Sequence, residues 1–448
     1  MENSQQVLYL DAHTLADLGL FDSSAEVGGL FEFCNRCRTH QGSEALKRRM
    51  LSPWAGAAGV RETQISIGFI GARRRVFDAL PSAYLATNIE RYLSAGMPSI
   101  RAENSLEFGL EAFQLWANYD QYYSRIVHGL ELCFRLLTSL REMIDCLELH
   151  KPPGEIGVLL LEMRSLLEKQ DLQSVKKNQA AKRYWQKLRI DQKLRVREKL
   201  SLLRLLELCS EIDALVAMTD VTCQSGWIMP RVMDGPTMLE AKDLVHPLLP
   251  DAVANSVSLD QNKRVLFLTG PNMAGKTTYL RTILVALYFA HLGMGVPAAA
   301  FAFSPLQHLI SSISLNDSLS EGVSYFRAEA LRVKAVAQAV HDGGRTIAVM
   351  DEPFKGTNVK DAFDASLAIV KEFSDKADCL FVIASHLIEL SDSLQFTQGI
   401  DYRFFEAGEG SAKLSFDYRL KLGVSSQRLG MRVLVEEGVF DLLKGRHR

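Results

Sequence analysis

The run Gly270-Pro271-Asn272-Met273-Ala274-Gly275-Lys276-Thr277-Thr278 gathers residues suited to one chemistry at one spacing. Two glycines separated by four residues, then Lys and Thr, make a phosphate-loop pattern. The glycines let backbone N–H groups turn toward an anion, and Lys276 would reach the β- and γ-phosphates of a nucleotide. The Thr277 hydroxyl is a hard oxygen ligand of the kind Mg²⁺ accepts. A chance Gly/Lys match is disfavoured, because an apolar strand precedes the loop and a helix follows it.

A second group lies downstream. Arg345-Thr-Ile-Ala-Val-Met-Asp351-Glu352 is an apolar strand that ends in two carboxylates. An acid at the end of a sheet strand beside a phosphate loop is placed to hold Mg²⁺, and this role falls to Asp351 together with Thr277. Glu352 would polarise the attacking water. Ser385-His386 follows another apolar strand. His386 either senses the γ-phosphate side or is an ordinary core or loop histidine, and position alone leaves both open.

Elements must bring these groups together. Val265–Leu268 reads as a buried parallel strand and Thr277 to about Leu292 as the buried helix behind the loop. The uncharged run Thr282–Phe303 could mimic a membrane span, but Gly293, Gly295 and Pro297 interrupt it. Phe301–Phe303, Leu309–Ser314, Thr346–Met350 and Cys379–Ala384 alternate with helical stretches, as in a largely parallel sheet covered on both faces. Met238–Pro247 reads as a lead into that domain through a Pro-containing loop.

Residues 1–220 are mostly helical in pattern, and 221–448 read as the α/β domain. Helices are expected from Gly28 to about Thr39, after a Ser43 cap as far as Pro53, over Val60–Ala79, Tyr84–Leu93, Leu106–Leu149 and Ile156–Leu172. The segment Lys176–Lys199 is strongly basic and contains Tyr184 and Trp185. Lys182, Arg183, Lys187 and Arg189 are its candidates for meeting a phosphate backbone. A solvated helix face explains the same pattern.

Composition bounds the rest. The chain has 448 residues, with 51 Lys plus Arg against 53 Asp plus Glu, so any nucleic-acid binding must come from a local patch. Seven cysteines without regular spacing suit a reduced, cytoplasmic protein. The Cys34/Cys37 pair lacks the second pair that a zinc site wants and reads as two helix-borne thiols. The start of the chain has neither a basic cluster nor an apolar core of the signal-peptide kind.

Taken together, Thr269–Arg281, Asp317–Phe326, Asp351–Thr357, Ser385-His386 and Gly423–Gly430 resemble the ATPase domain of the MutS DNA mismatch-repair family over roughly 235–440. Leu10-Asp11, Leu46–Trp54 and Glu211–Val216 are similar to that family's helical core. The resemblance implies an α/β P-loop ABC-type ATPase domain preceded by an all-α helical lever or core domain. It implies ATP and Mg²⁺ as cofactors, a homodimer in which Ser324 reaches the partner's ATP, a switch role for His386, and action on DNA. It also implies that the mismatch-recognition domain is missing, the clamp reduced, and single-mismatch recognition absent. Ala252 stands where the family has an adenine-stacking aromatic, Phe404 falls near the opposite stacking position, and Ser318 replaces an acid. The alternative is another ABC-type ATPase whose helical domain engages a protein client. No Leu-Ser-Gly-Gly-Gln segment supports a transporter subunit, and no heptads run far enough for a chromosome-organising coiled coil.

Overall fold

The computed structural model describes residues 7–22, 28–96, 98–177, 183–314, 325–408, 415–425, 427, 434–435 and 437–443. Ser324 and Lys182, with most of the serine-containing loop, lie outside the described residues. The chain forms two compact units: residues 1–32, 52–61 and 224–448, and residues 33–51 and 62–223.

The first unit is mixed α/β. In chain order its strands are β1 (Arg231–Val232), β2 (Leu239–Leu244), β3 (Asn255–Leu259), β4 (Lys263–Thr269), β5 (Ala300–Phe303), β6 (His308–Ser312), β7 (Thr346–Asp351), β8 (Cys379–Ala384), β9 (Gly399–Phe404), β10 (Ala407–Gly408), β11 (Ser415–Phe416) and β12 (Lys421–Leu422). A six-stranded sheet has the order β12-β9-β4-β8-β7-β6. It is parallel from β9 to β6, and β12 runs antiparallel to β9. Every residue of β8 and the last five of β4 are buried, the run expected of strands covered on both faces. Phe267, Met350 and Ile383 join Phe373 and Phe381, whose rings stack at 4.2 Å, in one apolar core.

The expected sheet differs from the observed one in two places. Phe301–Phe303 belongs to a second, four-stranded sheet of order β1-β5-β2-β3, in which β5 is antiparallel to β2. The stretch expected as a lead-in is β2, whose burial alternates only over its first four residues, with an irregularity between Ala241 and Leu244. The helix Lys276–His291 is almost wholly buried, which accounts for its lack of a polar stripe. Among the described residues no helix is long and apolar enough to cross a membrane.

The start of the chain also belongs to this unit. Tyr9 bridges to His308 beside the edge strand β6. The helix Ala12–Asp17 is capped by Asp11, whose side chain accepts from the Thr14 N–H. Its buried Asp17 accepts from Ser311 Oγ (2.6 Å) and from the N–H groups of Ile313 and Ser314 (each 2.9 Å).

The second unit is helical. The helix expected to run to Thr39 is Leu30–Cys34, so Cys37 lies in a connector and only Cys34 is helix-borne. The buried carboxylate of Asp213 makes that break by accepting from Arg38 N (3.0 Å), Thr39 N (3.0 Å) and Thr39 Oγ1 (2.9 Å). Thr39, not Ser43, then starts the helix His40–Leu51, its hydroxyl accepting from Gly42 N at 2.9 Å. The long stretch 106–149 divides at Tyr119 into Ser105–Asn118 and Asp120–Glu148.

The basic segment forms Tyr184–Gln192, a π-helical turn Lys193–Arg197, and the start of Lys199–Gln224. Arg195 and Asp191 form a buried pair there, with side chains 4% and 3% exposed, and Tyr92 donates to Asp191 at 2.5 Å. Removing one partner strands the other charge away from water. Asp191→Ala is therefore expected to cost about 3–5 kcal/mol in urea unfolding. A loss below about 1 kcal/mol would show that Arg195 finds compensation elsewhere.

Candidate functional site

The site is assembled at the C-terminal ends of β4, β7 and β8. β4 ends at Thr269, the loop 270–275 turns, and the helix Lys276–His291 begins. Gly270 has φ +142°, and a Cβ there would lie 2.6 Å from the Phe405 carbonyl oxygen, so only glycine fits. Gly275, at φ +101°, immediately precedes the helix. Lys276 is 4% exposed. Its ammonium donates to the carbonyls of Gly270 (2.8 Å) and Pro271 (3.3 Å) and lies 3.5 Å from Glu352 Oε1.

β7 delivers Asp351 opposite the first turn of that helix. Thr277 Oγ1 donates to Asp351 Oδ2 at 2.5 Å. Asp351 Oδ1 is buried and makes no hydrogen bond. Burial raises the Asp351 carboxyl above its ordinary value and the neighbouring Glu352 charge adds to this, against the Thr277 hydrogen bond. A buried carboxylate oxygen without a donor, beside a hydroxyl, is a set of hard ligands that fits Mg²⁺, which takes few protein ligands.

Glu352 follows in a left-handed conformation, φ +50°. Its carboxylate lies 3.2 Å from Lys355 Nζ and 3.4 Å from His386 Nδ1. Burial alone would raise it, but the His386 hydrogen bond and the Lys355 and Lys276 charges prevail and bring it down to about 2. Asp351 and Glu352 are thus neighbours in sequence with opposite shifts. The His386 side chain is 55% exposed, at the rim of the site and not in a core.

A cleft of about 730 Å³ opens over this cluster. Pro271, Asn272, Met273, Gly275, Lys276, Thr277 and Thr278 line it, whereas Gly270 and Ala274 stay behind as supports for the turn. Phe404 is not part of the lining; Phe405 is. Neighbouring residues along a strand point to opposite faces, so a one-residue difference decides which ring meets the cleft. Tyr418, which sequence pattern does not single out, also lines it, at φ +52°. Asn255 fixes that turn, donating to the Tyr418 carbonyl (2.9 Å) and accepting from Leu420 N (2.7 Å). Its signal in the sequence is only a lone aromatic between Phe416 and Gly423. His246 is a further lining residue without a sequence signal. Burial and the Arg281 charge lower it to about 4, so its ring is neutral above that pH.

The basic candidates belong to the helical unit. Arg183 is exposed and Lys187 half-buried. The Arg189 guanidinium lies 3.8 Å from the centre of the Phe108 ring and donates to Gln192 at 2.9 Å, so part of its charge is engaged inward.

Fold and site first define a class: a helical region followed by a mixed α/β domain whose cleft lies at the carboxyl ends of a parallel sheet. The family model for MutS domain V matches residues 266–441. The DNA mismatch repair protein MutS of Persephonella marina is 28% identical over 232 residues, covering 51% of this chain and 26% of that protein. Those of Aquifex pyrophilus and Listeria innocua are each 28% identical, over 50% and 51% of this chain and 26% and 27% of theirs. The chain is thus similar to MutS proteins over about half of its own length, and it spans about a quarter of the length of these curated relatives.

Proposed function

We propose that the chain binds ATP with Mg²⁺ in the cleft and hydrolyses it, as a cytoplasmic homodimer acting on DNA. The observation that carries this reading is the meeting of Thr277 and Asp351 at 2.5 Å beside the desolvated Lys276 and Glu352. Those four side chains are the set that nucleoside triphosphate hydrolysis requires. Thr277 and Asp351 would hold Mg²⁺, which supplies charge neutralisation at the phosphates. Lys276 would exchange loop carbonyls for phosphate oxygens, and Glu352 would take the proton of the attacking water. Gly275 and the helix start offer N–H groups to the same anion. Ser324 would complete the partner's site, and His386 would report the state of Glu352 across the 3.4 Å between them. Release of phosphate from ATP, assayed with and without Mg²⁺, tests the reading; no Mg²⁺-dependent turnover would refute it.

On DNA, the expected mode is binding to phosphates and not to mismatched bases. Affinity should then fall steeply with salt, and homoduplex and single-mismatch duplex should bind within a few-fold of each other. Reversing Arg183 and Lys187 together should flatten the salt slope by roughly 0.9 for each phosphate no longer neutralised, measured by gel shift. Unchanged binding after the reversals would remove this surface from consideration.

One observation favours a second reading, a protein client for the helical unit. Leu106, Leu110, Phe113 and Trp116 are 44–80% exposed and lie at helical spacing on Ser105–Asn118. Absence of DNA binding in both nucleotide states would decide for it.

A further inference from the structure

Glu329 lies outside the motifs of the site, on the helix Tyr325–His341, yet it is only 2% exposed. Its carboxylate is aimed at backbone. Oε1 accepts from Lys355 N at 2.7 Å, and Oε2 accepts from Gly356 N at 3.1 Å. These are consecutive amides of the loop that follows Glu352. Two oxygens on two adjacent N–H groups fix both the position and the tilt of that loop.

The loop needs such an anchor. Glu352 (φ +50°) and Phe354 (φ +69°) both hold left-handed backbone that side-chain-bearing residues avoid. A conformation of this kind persists only where its surroundings impose it. Phe326, on the same helix as Glu329, meets Phe354 with ring centroids 5.8 Å apart. The helix therefore grips the loop at two points. Lys355 is the connecting residue: its amide is held by Glu329, and its ammonium lies 3.2 Å from Glu352 Oε2. The crevice bounded by Glu329, Asp351, Glu352 and Lys355 has a volume of about 10 Å³, space for no more than about one water. Glu329 thus has no room to meet a substrate and acts on the loop.

We infer that Glu329 is a positioning residue that sets the geometry of Glu352, and through it the rate of hydrolysis without setting nucleotide affinity. This rests on the proposed ATPase function. Glu329 spends both oxygens on the loop after Glu352, whereas Lys276 and Thr277 bond to other partners, so binding and turnover should separate.

The test uses the full chain as parent, Glu329→Gln and Glu329→Ala. Binding of a fluorescent ATP analogue and steady-state phosphate release are measured on each. Glu329→Gln keeps the packing volume but sets an amide N–H₂ against a backbone N–H. It keeps the inference falsifiable if the alanine variant does not fold. The expected result is analogue affinity within about threefold of the parent and kcat at least about tenfold lower, since a misplaced base loses much of its contribution. Turnover within about twofold of the parent in a folded variant would overturn the inference, as would loss of binding in proportion to turnover. A parent that neither binds nor hydrolyses ATP is a different outcome: it removes the ATPase reading, and this inference with it.

Discussion

Replacing Lys276 with alanine is expected to abolish ATP binding or turnover. The side chain is held almost out of water by carbonyls of its own loop, so little rearrangement separates it from an incoming phosphate. A point charge there acts in a desolvated pocket and stabilises bound nucleotide and transition state alike. Losing such a clamp should lower turnover by well over roughly tenfold. Alanine leaves Lys355 and His386 beside Glu352, so the carboxylate keeps two of its partners and local collapse is not the expected cause. Phosphate release within about twofold of the parent would mean that the loop 270–275 does not hold the triphosphate.

What the sequence disclosed, it disclosed through local pattern. The loop 270–278 is contiguous, and its glycines, lysine and threonine owe their roles to neighbours a few residues away. The runs 265–268, 347–350 and 379–384 are apolar without interruption because both faces of those strands are covered. Legibility failed where a distant residue decides. The break at 35–39 is made by Asp213, some 174 residues along the chain, and no helical spacing near Cys37 reports it. Tyr418 reaches the cleft because Asn255 fixes its turn, a pairing 163 residues apart. The choice between Phe404 and Phe405 turns on strand parity. Lys176–Lys199 shows its charges but not their directions: Arg195 turns inward to Asp191, and Lys193 to Asp171 at 3.1 Å. Glu329 is one more helix charge in the sequence, and only its two amide partners set it apart.

Glu352→Gln is expected to keep ATP binding and lose hydrolysis. The parent carboxylate, at about 2, is a weak base while Lys276, Lys355 and His386 surround it. Movement of Lys276 toward phosphate would remove one of those charges, so basicity should rise when nucleotide is bound. Glutamine has the same shape and keeps the left-handed position of residue 352, but it cannot take a proton. Turnover should fall by about 10²–10⁴-fold, the usual contribution of a positioned base. Binding should hold, because the neutral amide no longer competes with phosphate for Lys276. The trapped ATP state should be a dimer visible by light scattering. The same substitution has a stability signature. A depressed acid stabilises the fold above its ordinary value of 4.5 and loses that contribution as pH falls toward about 2. The glutamine variant should therefore lack this part of the parent's acid loss, measured as unfolding midpoints between those pH values. Normal turnover by the variant would move the base elsewhere, with His386, 3.4 Å away, the next group to substitute.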